Sequence, residues 1–291
     1  MIIAPLRCFP NRTWLNKTTF CQQPPSVTDR DSYMSGSRLL QINVIACENT
    51  IMKTKEELYW EHWNAICRKN SISGSAANVG RAVLDAFNNF QLPPKPRILE
   101  VACGTGWLAH HLVDRGEYVG LDLAPSAIEI ARERLPSAHF EAADFHSWTP
   151  PAEKFDAIIC IDAIAVFRDQ DGVIEKFAKL LNPGGQIVLT TVNPFVYARI
   201  RWVKPPVEGQ ARHWLKKGEL HALLERHGFV VEKSWSMLPD GDMGMLRLVN
   251  GTKINKAVSI VIPQAKLERL KERVGLGQFR LVVARLDSKP A

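Results

Sequence analysis

Ile98-Leu99-Glu100-Val101-Ala102-Cys103-Gly104-Thr105-Gly106-Trp107-Leu108-Ala109 is an apolar run with one acid inside it. It is broken by Gly-Thr-Gly, after which an amphipathic helical pattern starts, predicted to run from Trp107 to Arg115. Strand, tight glycine turn and helix mark the junction where open α/β sheets bind a ligand beyond the carboxyl end of the first strand. Two glycines let the backbone turn sharply and let a ligand approach where a side chain would clash. Gly104, Gly106 and Ala109 also satisfy G-x-G-x-x-G/A, the nicotinamide dinucleotide fingerprint, with Asp122 about 20 residues on, where its ribose-binding acid is expected. The local string therefore admits two cofactor classes. Glu100 tilts the choice: a dinucleotide strand is usually apolar throughout, whereas an acid here sets a carboxylate below the turn, able to orient the loop and receive an ammonium.

The 291 residues are 46% apolar, enough for one large α/β domain with additions. Six cysteines form no C-x-x-C pair and do not cluster with histidines, which points to reduced thiols in a cytoplasmic setting and against a disulfide framework or a zinc site. No apolar run approaches the roughly 20 residues of a membrane-spanning helix. Residues 197–291 carry 18 Lys/Arg against 9 Asp/Glu. Such a basic end suits an acidic substrate, a membrane surface or nucleic acid, or is simply a solvated helical face, the reading favoured by its dispersed, mixed charges.

Residues 1–51 hold Pro-Pro, many polar residues and no long periodicity, and read as a disordered extension. Met52-Lys53-Thr54-Lys55-Glu56-Glu57 reads as a natural beginning, with Thr54 as helix N-cap and acids in the first turn. An aromatic-rich helical pattern, Tyr59–Ile66, and a second helix around Ala76–Phe90 come next, before Pro93-Pro94-Lys95-Pro96 delivers the chain to the first strand. Strand and helix then alternate, which implies a parallel sheet with helices on both faces. Strands are expected at Tyr118–Asp122, Ala138–Glu141, Phe155–Cys160 and Gln186–Thr191. Pro125 opens a helix, another spans Gly172–Leu181, and Leu181-Asn182-Pro183-Gly184-Gly185 makes a turn. The final third adds a helix at Lys217–His227 stopped by Gly228, a strand Phe229–Trp235, a helical stretch Ile254–Leu270 broken at Pro263, and a strand Phe279–Arg285.

The acid followed by Ala102-Cys103-Gly104-Thr105-Gly106, with Phe155-Asp156-Ala157-Ile158-Ile159, a helix, Leu-x-Pro-Gly-Gly and an apolar strand, resembles the class I S-adenosylmethionine (SAM) methyltransferases over about residues 95–192. Ala102 departs from that pattern, which usually has glycine there. The resemblance implies a Rossmann-like, doubly wound α/β fold, its seven-stranded sheet mostly parallel with an antiparallel last strand. It also implies SAM as cofactor, a helical lid over residues 52–96, and a SAM-binding domain over 97–291 with substrate-side insertions at about 193–216 and 237–275.

Under that resemblance each strand end has a task. Glu100, Ala102, Gly104, Thr105 and Gly106 border the methionine part of SAM. Asp122, with Leu123 beside it, offers two carboxylate oxygens to the ribose diol. Asp144 accepts from the adenine amino group while Phe145 lines the adenine pocket, and Cys160 borders the methionine end. Tyr59, Trp60 and Asn193 are candidates for contact with substrate. A hydroxyl nucleophile benefits from a general base with a pKa near neutrality. His213 is the leading candidate, since Asn193 … His213-Trp214 … Glu219-Leu220 is loosely similar to the ubiquinone-pathway O-methyltransferases. Asp162 is second and His146 third. Each of these side chains could equally serve only to hold structure, and no metal is expected.

The expected function is SAM-dependent methyl transfer to a small molecule, at a hydroxyl oxygen, with a homodimer compatible with this reading. The alternatives are an NAD(P)-dependent oxidoreductase, disfavoured by Glu100 and the closing strand, and a nucleic-acid methyltransferase. Against the latter, Asn193-Pro194-Phe195 follows the fifth strand, whereas amino-directed enzymes carry their similar motif after the fourth.

Overall fold

The computed structural model describes residues 54–67, 74–150, 154–201, 203, 206 and 210–287, of which 62–67 and 253 are described as backbone only. The expected extension 1–51 lies outside the described residues. Seven strands form one sheet: β1 Arg97–Val101, β2 Glu117–Asp122, β3 His139–Ala142, β4 Phe155–Cys160, β5 Leu181–Val192, β6 Phe229–Pro239 and β7 Gly277–Leu286. Their order is β3-β2-β1-β4-β5-β7-β6. The first five run parallel, and β7 enters antiparallel between β5 and β6. Strand order reverses between β1 and β4, so the crevice that receives a ligand opens beyond their carboxyl ends.

The apolar runs seen in the sequence are strands buried on both faces. Neighbouring residues serve opposite faces, so Ile98 packs with Val83 and Phe87 of α2 (Gly74–Phe87), while Leu99 and Val101 belong to the layer of Phe177 and Leu224. That second layer is made by α4 (Gln170–Leu180) and α6 (Lys217–Arg226). Asp169 caps α4, its carboxylate accepting from Gly172 N–H at 2.9 Å, which starts the helix two residues before the expected Gly172. Pro125 stands at N1 of α3 (Pro125–Arg134), and Gly228 closes α6 at φ +81°. Thr54 caps α1 (Lys55–Cys67) reciprocally: its hydroxyl accepts from Glu57 N–H at 3.1 Å, and Glu57 Oε2 accepts from Thr54 N–H at 2.5 Å.

The expected helix at Trp107–Arg115 is corrected to a chain of turns with one 3₁₀ segment, Ala109–His111. His111, Leu112 and Arg115 all bond back three residues rather than four. Leu108, Ala109 and Leu112 are buried in either winding, so apolar spacing alone does not distinguish the two. At the other end of the sheet, the Asn-Pro-Gly-Gly turn lies inside β5 as a break in its pairing with β4. A short α5 (Pro194–Tyr197) follows β5, and α7 (Gly244–Val249), α8 (Thr252–Ser259) and α9 (Gln264–Arg273) fill the insertion between β6 and β7.

Asn193 fastens that insertion to the sheet. Its Nδ2 donates to the carbonyls of Gly275 at 2.8 Å and Gly277 at 2.9 Å, and its own N–H donates to Gln278 O at 2.7 Å. Asn193→Ala leaves one buried and one part-buried carbonyl short of donors and is expected to cost about 1–3 kcal/mol of unfolding free energy in urea titration. An unchanged midpoint and slope would show that this junction bears no load.

Candidate active site

The glycine turn departs from ordinary backbone at three alternate positions. Ala102, Gly104 and Gly106 are all left-handed, at φ +59°, +56° and +68°. Gly106 has no alternative, because a Cβ there would also sit 2.9 Å from Phe140 and 3.0 Å from Ala131. Ala102 holds the same geometry with a side chain, at a penalty of roughly 1–2 kcal/mol. One side chain holds this turn in place. Asp122, at the end of β2, accepts from Gly104 N–H through Oδ2 at 2.8 Å and from Ala124 N–H through Oδ1 at 2.9 Å. Each oxygen keeps lone-pair capacity for a further donor.

Beside this clamp lies a cavity of about 330 Å³. Ala102, Asp122 and Leu123 form its floor, and Asp144, Phe145 and His146, from the loop after β3, form one wall. Phe145 is buried against Phe167, Phe177 and Trp148, while Asp144 is exposed and accepts from His146 N–H at 2.9 Å. The other wall is α1, through Glu56, Glu57 and Trp60. Glu56 pairs with Arg168 at 3.1 Å across the rim, and Glu61 accepts from Ser126 N–H at 3.0 Å. Tyr59 packs edge-on to Trp60 and does not line the cavity.

Five of the ten expected cofactor residues thus converge: Ala102, Asp122, Leu123, Asp144 and Phe145. The others stand behind or beside the cavity. Thr105 accepts from Arg134 at 2.8 Å, Gly104 and Gly106 form the turn itself, and Cys160 is buried at the end of β4, its thiol pushed up to about 12 by burial. Glu100 is 1% exposed and accepts from the Tyr118 hydroxyl at 2.5 Å, so it supports the turn from within the core.

Lys176 has a part that no sequence pattern announced. Its ammonium donates to the carbonyls of Phe145, His146 and Trp148 at 2.5, 3.0 and 2.5 Å and lies 4.9 Å from the Phe145 ring centroid. One flexible cation thereby shapes the wall that carries Asp144 and Phe145. A lysine on a helix ordinarily reads as a solvated side chain, and its partners are assembled only by the fold.

The candidate bases differ sharply in placement. His213 is exposed, and it is the backbone that is engaged: its N–H donates to Ala165 O at 2.7 Å and its carbonyl accepts from Gln170 at 2.8 Å. His146 lines the cavity near its exposed rim. Asp162, just past β4, is 3% exposed and left-handed at φ +53°. Its Oδ1 accepts from the Thr190 hydroxyl at 2.7 Å, whereas Oδ2 is buried with no hydrogen-bond partner among the described residues. Burial raises Asp162 from 3.8 to about 7 against the opposing Thr190 hydrogen bond, and burial likewise raises Glu100 from 4.5 to about 7.

Two raised carboxyls give a signed prediction. The folded state retains both protons up to about pH 7, while the unfolded chain releases them near the ordinary values of 3.8 and 4.5. Their contribution to stability is therefore fullest below those ordinary values and is lost as pH rises through about 7. Urea unfolding at pH 5 and pH 8 should show a smaller fall for Asp162→Asn and Glu100→Gln than for the parent. Identical falls in all three proteins would contradict this assignment.

The sequence matches the methyltransferase domain family over residues 75–234, more than half of the chain. It is 29% identical over 192 residues to a ubiquinone biosynthesis O-methyltransferase of Xanthomonas axonopodis pv. citri, covering 59% of this chain and 78% of that one. A protein of the same description from Xylella fastidiosa is also 29% identical, covering 58% and 75%. Among solved structures, the fold is similar to an S-adenosylmethionine-dependent methyltransferase from Mesorhizobium loti, with a TM-score of 0.50 and 23% identity over 72% of this chain and 96% of that one. It is also similar to the PH0226 protein of Pyrococcus horikoshii, with a TM-score of 0.54 and 17% identity over 78% and 99%. With its glycine turn, acid-ended second strand and antiparallel seventh strand, this chain belongs to the class I SAM-dependent methyltransferases.

Proposed function

We propose that the enzyme methylates a hydroxyl oxygen of a small aromatic or lipophilic molecule, with Asp162 as general base. One observation carries this reading: a buried, left-handed carboxyl, poised near neutrality with one oxygen unspent, at the carboxyl end of β4. A base whose pKa matches the working pH combines a useful ionised fraction with useful proton affinity. The relatives described as ubiquinone biosynthesis O-methyltransferases support transfer to oxygen.

SAM supplies the methyl group together with its own leaving group. The side chains on the cavity fit the adenosine half of that molecule. Asp122 would accept from the ribose hydroxyls with the lone pairs its two backbone bonds leave free, and Asp144 would accept from the adenine amino group beside the Phe145 ring. Helix α1 would act as the lid, keeping water from the reacting atoms through Trp60 and the Glu56–Arg168 pair. For the acceptor, Tyr197 is buried near enough to Asp162 for their charges to couple, and Trp214 meets the Tyr197 ring edge-on at 5.1 Å. Arg212 lies over Trp214 at 5.6 Å. These groups make an aromatic wall suited to a flat acceptor, aligned for in-line displacement.

In this reading Asp162 takes the place that the spacing around His213 suggests. Turnover should rise as pH increases through about 7, because Asp162 must lose its proton to act. Asp162→Asn keeps the shape, and asparagine tolerates the left-handed backbone. It should lower kcat roughly 10²–10⁴-fold and abolish the rise, with SAM affinity retained. His213→Ala should leave kcat near the parent value. A large loss in His213→Ala beside normal turnover in Asp162→Asn would reverse the two roles.

A further inference from the structure

The insertion between β6 and β7 carries an exposed apolar surface, none of whose residues lines the cavity beside Asp122. Seven large apolar side chains of α7, α8, α9 and their connections are exposed. Ile260 and Val261 are the extreme cases, 85% and 83% exposed, side by side at the tip where α8 turns into α9 before Pro263. Between the two helices runs a groove of about 340 Å³ lined almost wholly by aliphatic side chains, among them Ile254, Val258, Leu267 and Leu270. The hairpin is built to keep this shape: Lys271 is buried beneath it, donating to Asn255 at 3.1 Å and pairing with Glu268 at 3.5 Å. Its apolar tip is therefore displayed by a braced structure.

Charge identifies what such a surface fits. Residues 243–276 contain seven Lys/Arg and two Asp/Glu. Arg247, Lys256, Lys266, Arg269 and Arg273 are exposed on the same helices. Aliphatic side chains at a tip, on helices that also carry exposed cations, suit the boundary between lipid headgroups and acyl chains, where apolar burial and attraction to anionic headgroups add. Among the described residues no helix is long and apolar enough to cross a membrane, so the contact would be peripheral. We propose that the α8–α9 hairpin docks the enzyme on an anionic lipid bilayer, with Ile260 and Val261 entering the headgroup region. This inference rests on the insertion alone and stands apart from the choice of methyl acceptor or base.

The test is flotation of the full chain with phosphatidylcholine vesicles, with and without phosphatidylglycerol, in parallel with SAM binding as the measure of folding. The parent should float with the anionic vesicles and stay behind with the neutral ones, and added salt should weaken the association. The double variant Ile260→Glu, Val261→Glu should lose at least about tenfold in vesicle affinity, since two apolar side chains are replaced by charges that anionic headgroups repel. Val230→Glu, at another exposed aliphatic side chain on β6, should behave as the parent. Equal flotation of the double variant and the parent would overturn the proposal. So would failure of the parent to float, including the case in which sedimentation shows self-association abolished by the same two substitutions, which would make this face an interface between copies of the chain.

Discussion

The Asp122 carboxylate is the constraint on which the glycine turn and the cavity beside it depend. One oxygen holds the N–H of Gly104 and the other the N–H of Ala124, so a single side chain joins the turn after β1 to the turn after β2. The turn after β1 opens where the strand order reverses, between β1 and β4, and the turn after β2 lies on the neighbouring strand. Three left-handed residues in five positions could not hold a loop cheaply without such an anchor, and one of the three is an alanine. The backbone strain at Ala102 and the carboxylate clamp are thus two sides of one arrangement, in which the turn is held ready to meet a ligand.

In the proposed reading, the site around this anchor divides into a cofactor wall and an acceptor wall. The first is fixed by main-chain contacts: Lys176 gathers three carbonyls of the loop that presents Asp144 and Phe145. The second is built from side chains on segments that follow β4 and β5, where Asp162 is kept protonated by burial until about neutral pH. Separating rigid binding from a titrating acceptor side suits a reaction whose leaving group arrives already activated. For the proposed transfer to oxygen, the protein's remaining work would be alignment, exclusion of water and removal of one proton.

Much of this was legible in the sequence, for reasons that differ by element. Strands β1, β2, β4 and β5 are buried on both faces, so their apolar runs are unambiguous, and Pro125, Gly228 and Pro263 punctuate helices at positions where no other reading is comfortable. Acids at strand ends singled out Asp122 and Asp144, and both line the cavity. The stretch after Gly106 was not legible as turns, because its buried residues satisfy a helical spacing equally well. Glu100 was legible as unusual, while its partner, Tyr118 on the neighbouring strand, depends on register. Asn193 stands beside the segments expected to face substrate, yet its amide is spent on Gly275 and Gly277, more than 80 residues away in sequence. The same distance problem hid Lys176. It also favoured His213, whose residue type suits a base while its placement turns only the backbone toward the core.

The central claim is that the cavity beside the Asp122 clamp seats SAM, and isothermal calorimetry of the parent, Asp122→Ala and Asp144→Ala tests it most directly. The parent should bind SAM and its demethylated product at one site per chain and give no heat with NAD. Both substitutions should weaken SAM binding, Asp122→Ala the more severely because it removes the ribose acceptor and releases the glycine turn together. SAM binding of parental strength in both folded variants would place the cofactor elsewhere and contradict the account.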